Sequence, residues 1–333
     1  MLRTITLCSG KGGVGKTLLS TSLARIIQRE ANCNVLLVDL DLSVSGLTLL
    51  AYHNKIELNQ VPLSLIEYLS VDPDQENALL AALQKGLAIN GEGDGEGQGT
   101  QVPSLYRRLE NVYILPASTE SERPDWTQIS RLELDTAVEK LARLQRFVDE
   151  TLDIDFLIFD TQAGLGSLSL AAATLSDMNL VVLEEDDISW RTSLQMFIEI
   201  TELNKRLQHR SRSYFLANKV NAGLMDMASK LRAFAFLPPI PFDSWMQRLV
   251  SNATAAVLEK EFENSDFFRH LHTRVWQEIA QTFGLAQATK NSALSSWWRP
   301  QRDKARFAER PAGTNSVAPT PAQKPGEQGR KAS

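Results

Sequence analysis

The stretch SGKGGVGKT, residues 9–17, constrains the fold more than any other part of the chain. From Gly10 to Thr17 it fits the pattern G-x-x-x-x-G-K-S/T. The run before it, Thr4-Ile5-Thr6-Leu7-Cys8, is apolar and β-prone, as a buried strand requires. After it, Leu19, Leu23 and Ile26 follow at spacings of four and three, which places them on one face of a helix. Strand, glycine loop and helix in this order form the setting in which such a loop cradles phosphate. The backbone N–H groups of Gly10, Lys11, Gly12, Gly13, Val14, Gly15 and Lys16 can curl around phosphate oxygens. The helix N-terminus adds the positive end of its dipole. Lys16 is expected to reach the β and γ phosphates, and the Thr17 hydroxyl to ligate Mg²⁺. Lys11 is a second lysine where one suffices. Read from the residues alone, it is either a further cation for phosphate or a solvated loop lysine.

Further apolar runs recur at 34–39, 111–116, 154–160, 179–184, 213–219 and 233–237, with helical segments between them. They are leucine-rich or β-branched without strict alternation, which suits strands buried on both faces of a parallel sheet. Between 130 and 152, the stripe Ala137, Leu141, Leu144, Val148 and Leu152 marks a helix. The alternation predicts a doubly wound α/β domain with a mostly parallel sheet and helices on both faces, its ligand at the carboxyl ends of the strands. The domain is expected to occupy residues 1–285. Within it, NGEGDGEGQGTQ at 90–101 alternates glycine with acids that repel phosphate, so it is expected to form a flexible surface loop and not a second cradle. Residues 286–333 turn basic and rich in Pro, Ser and Gly, and are expected to form a mostly disordered tail.

The 333 residues are 43% hydrophobic and 23% charged, ordinary for a globular chain, and the net charge of −5 argues against wholesale coating of nucleic acid. The charge is uneven, because residues 299–333 hold eight Lys or Arg against three Asp or Glu. Trp297 and Trp298 precede that segment, so a weak contact with an anionic membrane or with DNA is expected there. Cys8 and Cys33 lack a CxxC partner, which speaks against an iron–sulfur cluster, a zinc site or a disulfide framework. No apolar run approaches the ~18 residues of a membrane span, and a strand begins within a few residues of the start, so no signal peptide is expected. These features predict a cytoplasmic protein, with peripheral attachment at the inner face of the membrane left open by the tail.

Three acids follow strand-like runs: Asp39, Asp41 and Asp160. Alternation along an extended chain puts Asp39 and Asp41 on the same side. Asp39 and Asp160 are expected to hold Mg²⁺ through its waters, and Asp41 to orient or polarise an attacking water. Their alternative use is to cap the turns that follow. Asn218-Lys219-Val220-Asn221 resembles the guanine-reading NKxD of GTPases but ends in Asn, which cannot accept from both guanine donors as a carboxylate does. Adenine is therefore the expected base.

KGGVGKT with Lys11, DLDLSVSGL after the second strand, and FLIFDTQAGLG at 156–166 together resemble the ParA/MinD group of deviant-Walker ATPases, P-loop NTPases of the SIMIBI class. ILPAS at 114–118, Ser189-x-Arg191-x-Ser193, Ala163-Gly164 and IPFD at 240–243 are closer to its MinD/FlhG branch. The resemblance covers about residues 1–283. It implies a Mg-ATP-dependent homodimer in which Lys11 crosses to the phosphates held by the second subunit, making Lys11, Lys16 and Asp41 the catalytic set. It also implies that Asn218 contacts the adenine, and that the dimer engages a regulatory or cargo protein. Three positions depart from the pattern. Leu18 stands where a second Thr usually meets the α-phosphate, Ser22 where Asn is common, and Gly46 where MinD proteins carry Asn. Besides a slow, partner-stimulated ATPase switch, an ATP-bound adaptor that does not hydrolyse and a DNA-partition protein stay open. The acidic run 184–187 reads either as a partner surface or as a solvated strand end.

Overall fold

β1 (Arg3–Cys8) lies inside a seven-stranded sheet of order β3-β4-β2-β5-β1-β6-β7. The computed structural model describes residues 1–52, 58–87, 106–109, 111–119, 129, 132–221, 235–246, 263 and 265–285. The glycine-acid segment 90–101 and the tail 286–333 lie outside the described residues. All described residues belong to one compact unit, Met1–Ser292.

β2 (Val35–Leu40), β4 (Val112–Leu115), β5 (Phe156–Thr161), β6 (Met178–Leu183) and β7 (Arg212–Ala217) join β1 in a parallel set. Every residue of β2, β4, β5 and β6 is buried, which is why these strands read as continuous apolar runs. Of the run expected at 233–237, residues 235–237 are described, and Phe236 there forms a parallel bridge with Phe215.

α1 (Lys16–Ala31) connects β1 to β2 on one face, and α5 (Leu134–Thr151), α6 (Ser167–Leu175) and α7 (Asp187–Arg206) carry the chain back across the other. The stripe Ala137, Leu141, Leu144 and Val148 of α5 is buried as expected. A C-terminal segment packs against α1 and consists of α8 (Asp266–His270), a π-helical turn (Leu271–Val275) and α9 (Trp276–Thr282).

Four elements were not foreseen. The edge strand β3 (Arg107–Leu109) pairs antiparallel with β4 and is too short to show a pattern. Helices α2 (Gly46–Ala51), α3 (Leu65–Ser70) and α4 (Pro73–Leu87) separate β2 from β3. α3 begins at a capping box, with the Ser64 N–H donating to Glu67 Oε2 at 2.6 Å, and α4 begins with a proline at its first helical position.

The chain runs from β1 to β2 on one side, returns through β5, and then builds β6 and β7 on the other side. The crevice at the carboxyl end of β1 is therefore the topological switch point, where open α/β sheets bind ligands.

Candidate nucleotide site

The loop leaving β1 enters α1 through Gly15, whose φ of 92° is left-handed. A Cβ there would lie 2.6 Å from Asn218 Nδ2, and one on Gly10 would lie 2.4 Å from the carbonyl carbon of Thr192 on α7. The end of β7 and the first turns of α7 thus press directly on the loop, and only glycine admits that approach. On its other side, the Gly164 N–H donates to Ser9 O at 2.8 Å and ties the segment after β5 to the loop.

Lys16 is buried, and its ammonium donates to Ser9 Oγ at 2.8 Å. Burial pushes its pKa down, against the opposing pull of the Asp160 charge. One neutral hydroxyl compensates a buried cation poorly, so the position is built to receive an anion. Lys16 opens onto a cleft of about 580 Å³, whose lining includes Thr17, Leu18, Asp41, Gln162, Asn218 and Phe242. That volume is in the range of small-molecule sites.

Asp39 and Asp160 are paired in register on β2 and β5, and both are buried. Asp39 is committed to the protein. One carboxylate oxygen accepts from the Thr48 N–H and hydroxyl at 2.8 and 2.7 Å, and the other from the Asp41 N–H at 3.1 Å. Neither Asp160 oxygen has a well-formed hydrogen bond among the described residues. Burial pushes Asp39 up to about 8, reinforced by the Asp160 charge, and pushes Asp160 up to about 7, only partly offset by the Thr17 hydroxyl and by Lys16. An orphaned buried carboxylate beside a threonine hydroxyl fits a divalent cation. Of the two acids, Asp160 has oxygens to offer, whereas Asp39 shapes the loop behind it.

This pair makes stability pH-dependent. Unfolded carboxyls ionise near 4, so between that pH and about 8 the folded chain binds more protons than the unfolded one. Without Mg²⁺ or nucleotide, the melting temperature should fall as pH rises from 5 to 8.5. Asp160→Asn should flatten that fall, because it removes one of the two raised groups. Melting curves across this range check it, and an unchanged slope in the variant would contradict the assignment.

Asp41 caps the turn after β2 and faces the cleft. One oxygen accepts from Ser43 Oγ at 2.7 Å and the Val44 N–H at 3.1 Å, while the residue also lines the cleft with Lys16 and Thr17. Asn218 donates from Nδ2 to Val14 O at 2.8 Å, and its Oδ1 is buried without a partner among the described residues, an acceptor available at the cleft wall. Asn221 is exposed and absent from the lining, so the base reading rests on Asn218. Next to Asn218, Lys219 donates to Gly13 O at 2.5 Å.

Lys11 is not left to solvent. Its ammonium pairs with Asp186 Oδ2 at 2.8 Å and Glu184 Oε2 at 3.2 Å, and Glu184 Oε1 also holds Lys219 at 2.6 Å. Hydrogen bonds to Asp186 and then Glu184 raise the Lys11 pKa. The acidic run is therefore neither of the two things expected of it alone, since part of it is the counter-charge of the loop.

A family profile described as the CobQ/CobB/MinD/ParA nucleotide binding domain matches residues 5–255. The chain belongs to this family. An ATP-binding protein of Methanocaldococcus jannaschii is 28% identical over 185 residues, covering 56% of this chain and 54% of that one, so the match spans about half of that relative's length. The septum site-determining protein MinD of Escherichia coli is 22% identical over 234 residues, covering 69% of this chain and 72% of MinD. MinD of Pyrococcus horikoshii, solved with Mg-ADP, superposes with a TM-score of 0.56 at 20% identity, over 86% of this chain and 99% of that one. The superposition shows a shared fold.

Of the residues the sequence singled out, Lys16, Thr17, Asp41 and Asn218 line one cleft and Asp160 lies beside Thr17, whereas Asp39, expected as a metal ligand, is consumed by Thr48 and the Asp41 N–H. Four contributors were not singled out: Ser9, Lys219, Glu184 and Asp186. The Asn218-Lys219 pair was a usable signal for Lys219. For the two acids nothing local existed, because they lie more than 170 residues from Lys11.

Proposed function

We propose that this chain is an ATP-dependent dimerising switch of the MinD/ParA type, cycling by binding and slow hydrolysis of Mg-ATP to engage and release a regulatory or cargo protein. The observation that carries the reading is the division of labour between two lysines. Lys16 is buried at the cleft floor and donates to Ser9 Oγ, while Lys11 stands on the same loop with 36% of its side chain exposed and pairs with Glu184 and Asp186.

In this reading Lys16 and the loop N–H groups bind the β and γ phosphates, and Asn218 Oδ1 accepts from the adenine amino group. Thr17 and Asp160 would hold Mg²⁺, which supplies charge neutralisation across the β and γ phosphates when bound. Asp41 orients and polarises water with the carboxylate oxygen that the turn leaves over. Lys11 of each copy serves the nucleotide of the other, a charge supplied in trans where negative charge grows during phosphoryl transfer.

If two copies complete each site, specific ATPase activity should rise with protein concentration and then level off. Phosphate release measured over a hundredfold range of concentration tests this, and a constant specific activity would contradict it. The adaptor reading draws on Gly46, where an added Cβ would lie 3.5 Å from Thr17 Oγ1, so a side chain found in relatives is missing beside the phosphate end. Single-turnover hydrolysis separates the two readings, since only the adaptor retains its ATP.

A further inference from the structure

We propose that Glu184 and Asp186 form a cis latch on Lys11 that must open before Lys11 can reach a nucleotide held by a second copy of this chain. The inference rests on the dimerising reading and adds a control to it.

The two carboxylates are anchored. Asp186 caps α7 with one oxygen, accepting from the Ser189 N–H at 2.9 Å, and holds Lys11 with the other. The Glu184 N–H donates to Ser189 Oγ at 2.8 Å, and its carboxylate bridges Lys11 and Lys219. α7 itself is pinned from below, where Trp190 stacks on Phe236 and Phe197 on Phe215, with centroids 5.9 and 4.7 Å apart. Lys11 sits on the loop, next to the Gly10 that presses on Thr192. The anchored partner is therefore the acid pair, and the part free to move is the lysine.

Charge counting gives the latch its consequence. Lys11 and Lys219 balance Glu184 and Asp186. When Lys11 leaves, two carboxylates face one lysine beside a loop that receives phosphates, which disfavours departure. A dimer that places each Lys11 on the nucleotide of the other copy must therefore open both latches. Exposed ion pairs are individually weak, but two on one ammonium, with one acid already fixed by its cap, correspond to about a fivefold hold per copy. A dimer opens two latches, so the effect on its dissociation constant is the square, about 25-fold.

The test compares Glu184→Gln/Asp186→Asn with Glu185→Gln/Asp187→Asn in the full chain. Asparagine still caps α7, so the first variant keeps the helix start. The second removes the same charge from the same run and spares both acids that hold Lys11. In saturating Mg-ATP, sedimentation should show the latch variant dimerising at about 25-fold lower concentration than wild type, and the control shifting by less than about threefold. Equal shifts in both variants would overturn the latch in favour of a general field effect. A second readout needs no dimer. With nucleotide absent, competitive acetylation of Lys11 should run several-fold faster in the latch variant, because an unpaired ammonium yields free amine more readily. Unchanged Lys11 reactivity overturns the latch, whereas a wild type that never dimerises in ATP overturns the dimerising reading.

Discussion

Replacing Lys16 with alanine should weaken Mg-ATP binding by two to three orders of magnitude. In the folded chain the Lys16 ammonium is buried, donates to Ser9 Oγ alone among the described residues, and is held below its usual pKa by that burial. Its unmet capacity is what the phosphates satisfy. Two charge-assisted hydrogen bonds, at about 1.5–2 kcal/mol each, the lower part of the range for charged partners, account for a loss of about 10²- to 10³-fold. The fold should survive, since the substitution removes a poorly compensated buried charge and leaves the core beneath it intact. Nucleotide titration monitored by calorimetry, with a melting curve as the control for folding, measures both. Equal affinity in the two proteins would remove the loop from the binding site.

Asp41→Asn should lower the hydrolysis rate by about 10²-fold or more while leaving ATP affinity within a few-fold of wild type. Asparagine is the informative replacement. Its side-chain oxygen can still accept from Ser43 Oγ and the Val44 N–H, so the turn after β2 is retained. What disappears is the negative charge and the second acceptor, the features a water-polarising residue needs. The variant should accumulate as an ATP-bound dimer. Single-turnover phosphate release and the oligomeric state in ATP distinguish this from a structural role, which would lower binding along with rate.

The parts of the site legible in the sequence were those whose chemistry is local. The glycine loop, Lys16 and Thr17 form one contiguous motif, and uninterrupted apolar runs marked the parallel strands that place Asp39 and Asp160 side by side. Helices α2 to α4 were harder to see, because two of them are six residues long and the pattern of a short helix resembles that of a loop. The use of Asp39 was also hidden. Its bonds to Thr48 depend on how α2 folds back, and that contact consumes an acid whose position alone suggested a metal. The partners of Lys11 were the least legible, since it takes both the pairing of β1 with β6 and the packing of α7 on Gly10 to bring Glu184 and Asp186 to the loop.

The central claim is that ATP joins two copies through Lys11. Light scattering on wild type and Lys11→Ala, each with and without Mg-ATP, tests it most directly. Wild type should scatter as a 37.1 kDa monomer alone and as twice that mass in ATP, whereas Lys11→Ala should bind ATP and stay monomeric. A wild type already dimeric without nucleotide, or a Lys11→Ala variant that dimerises in ATP at the same concentrations as wild type, would contradict the account.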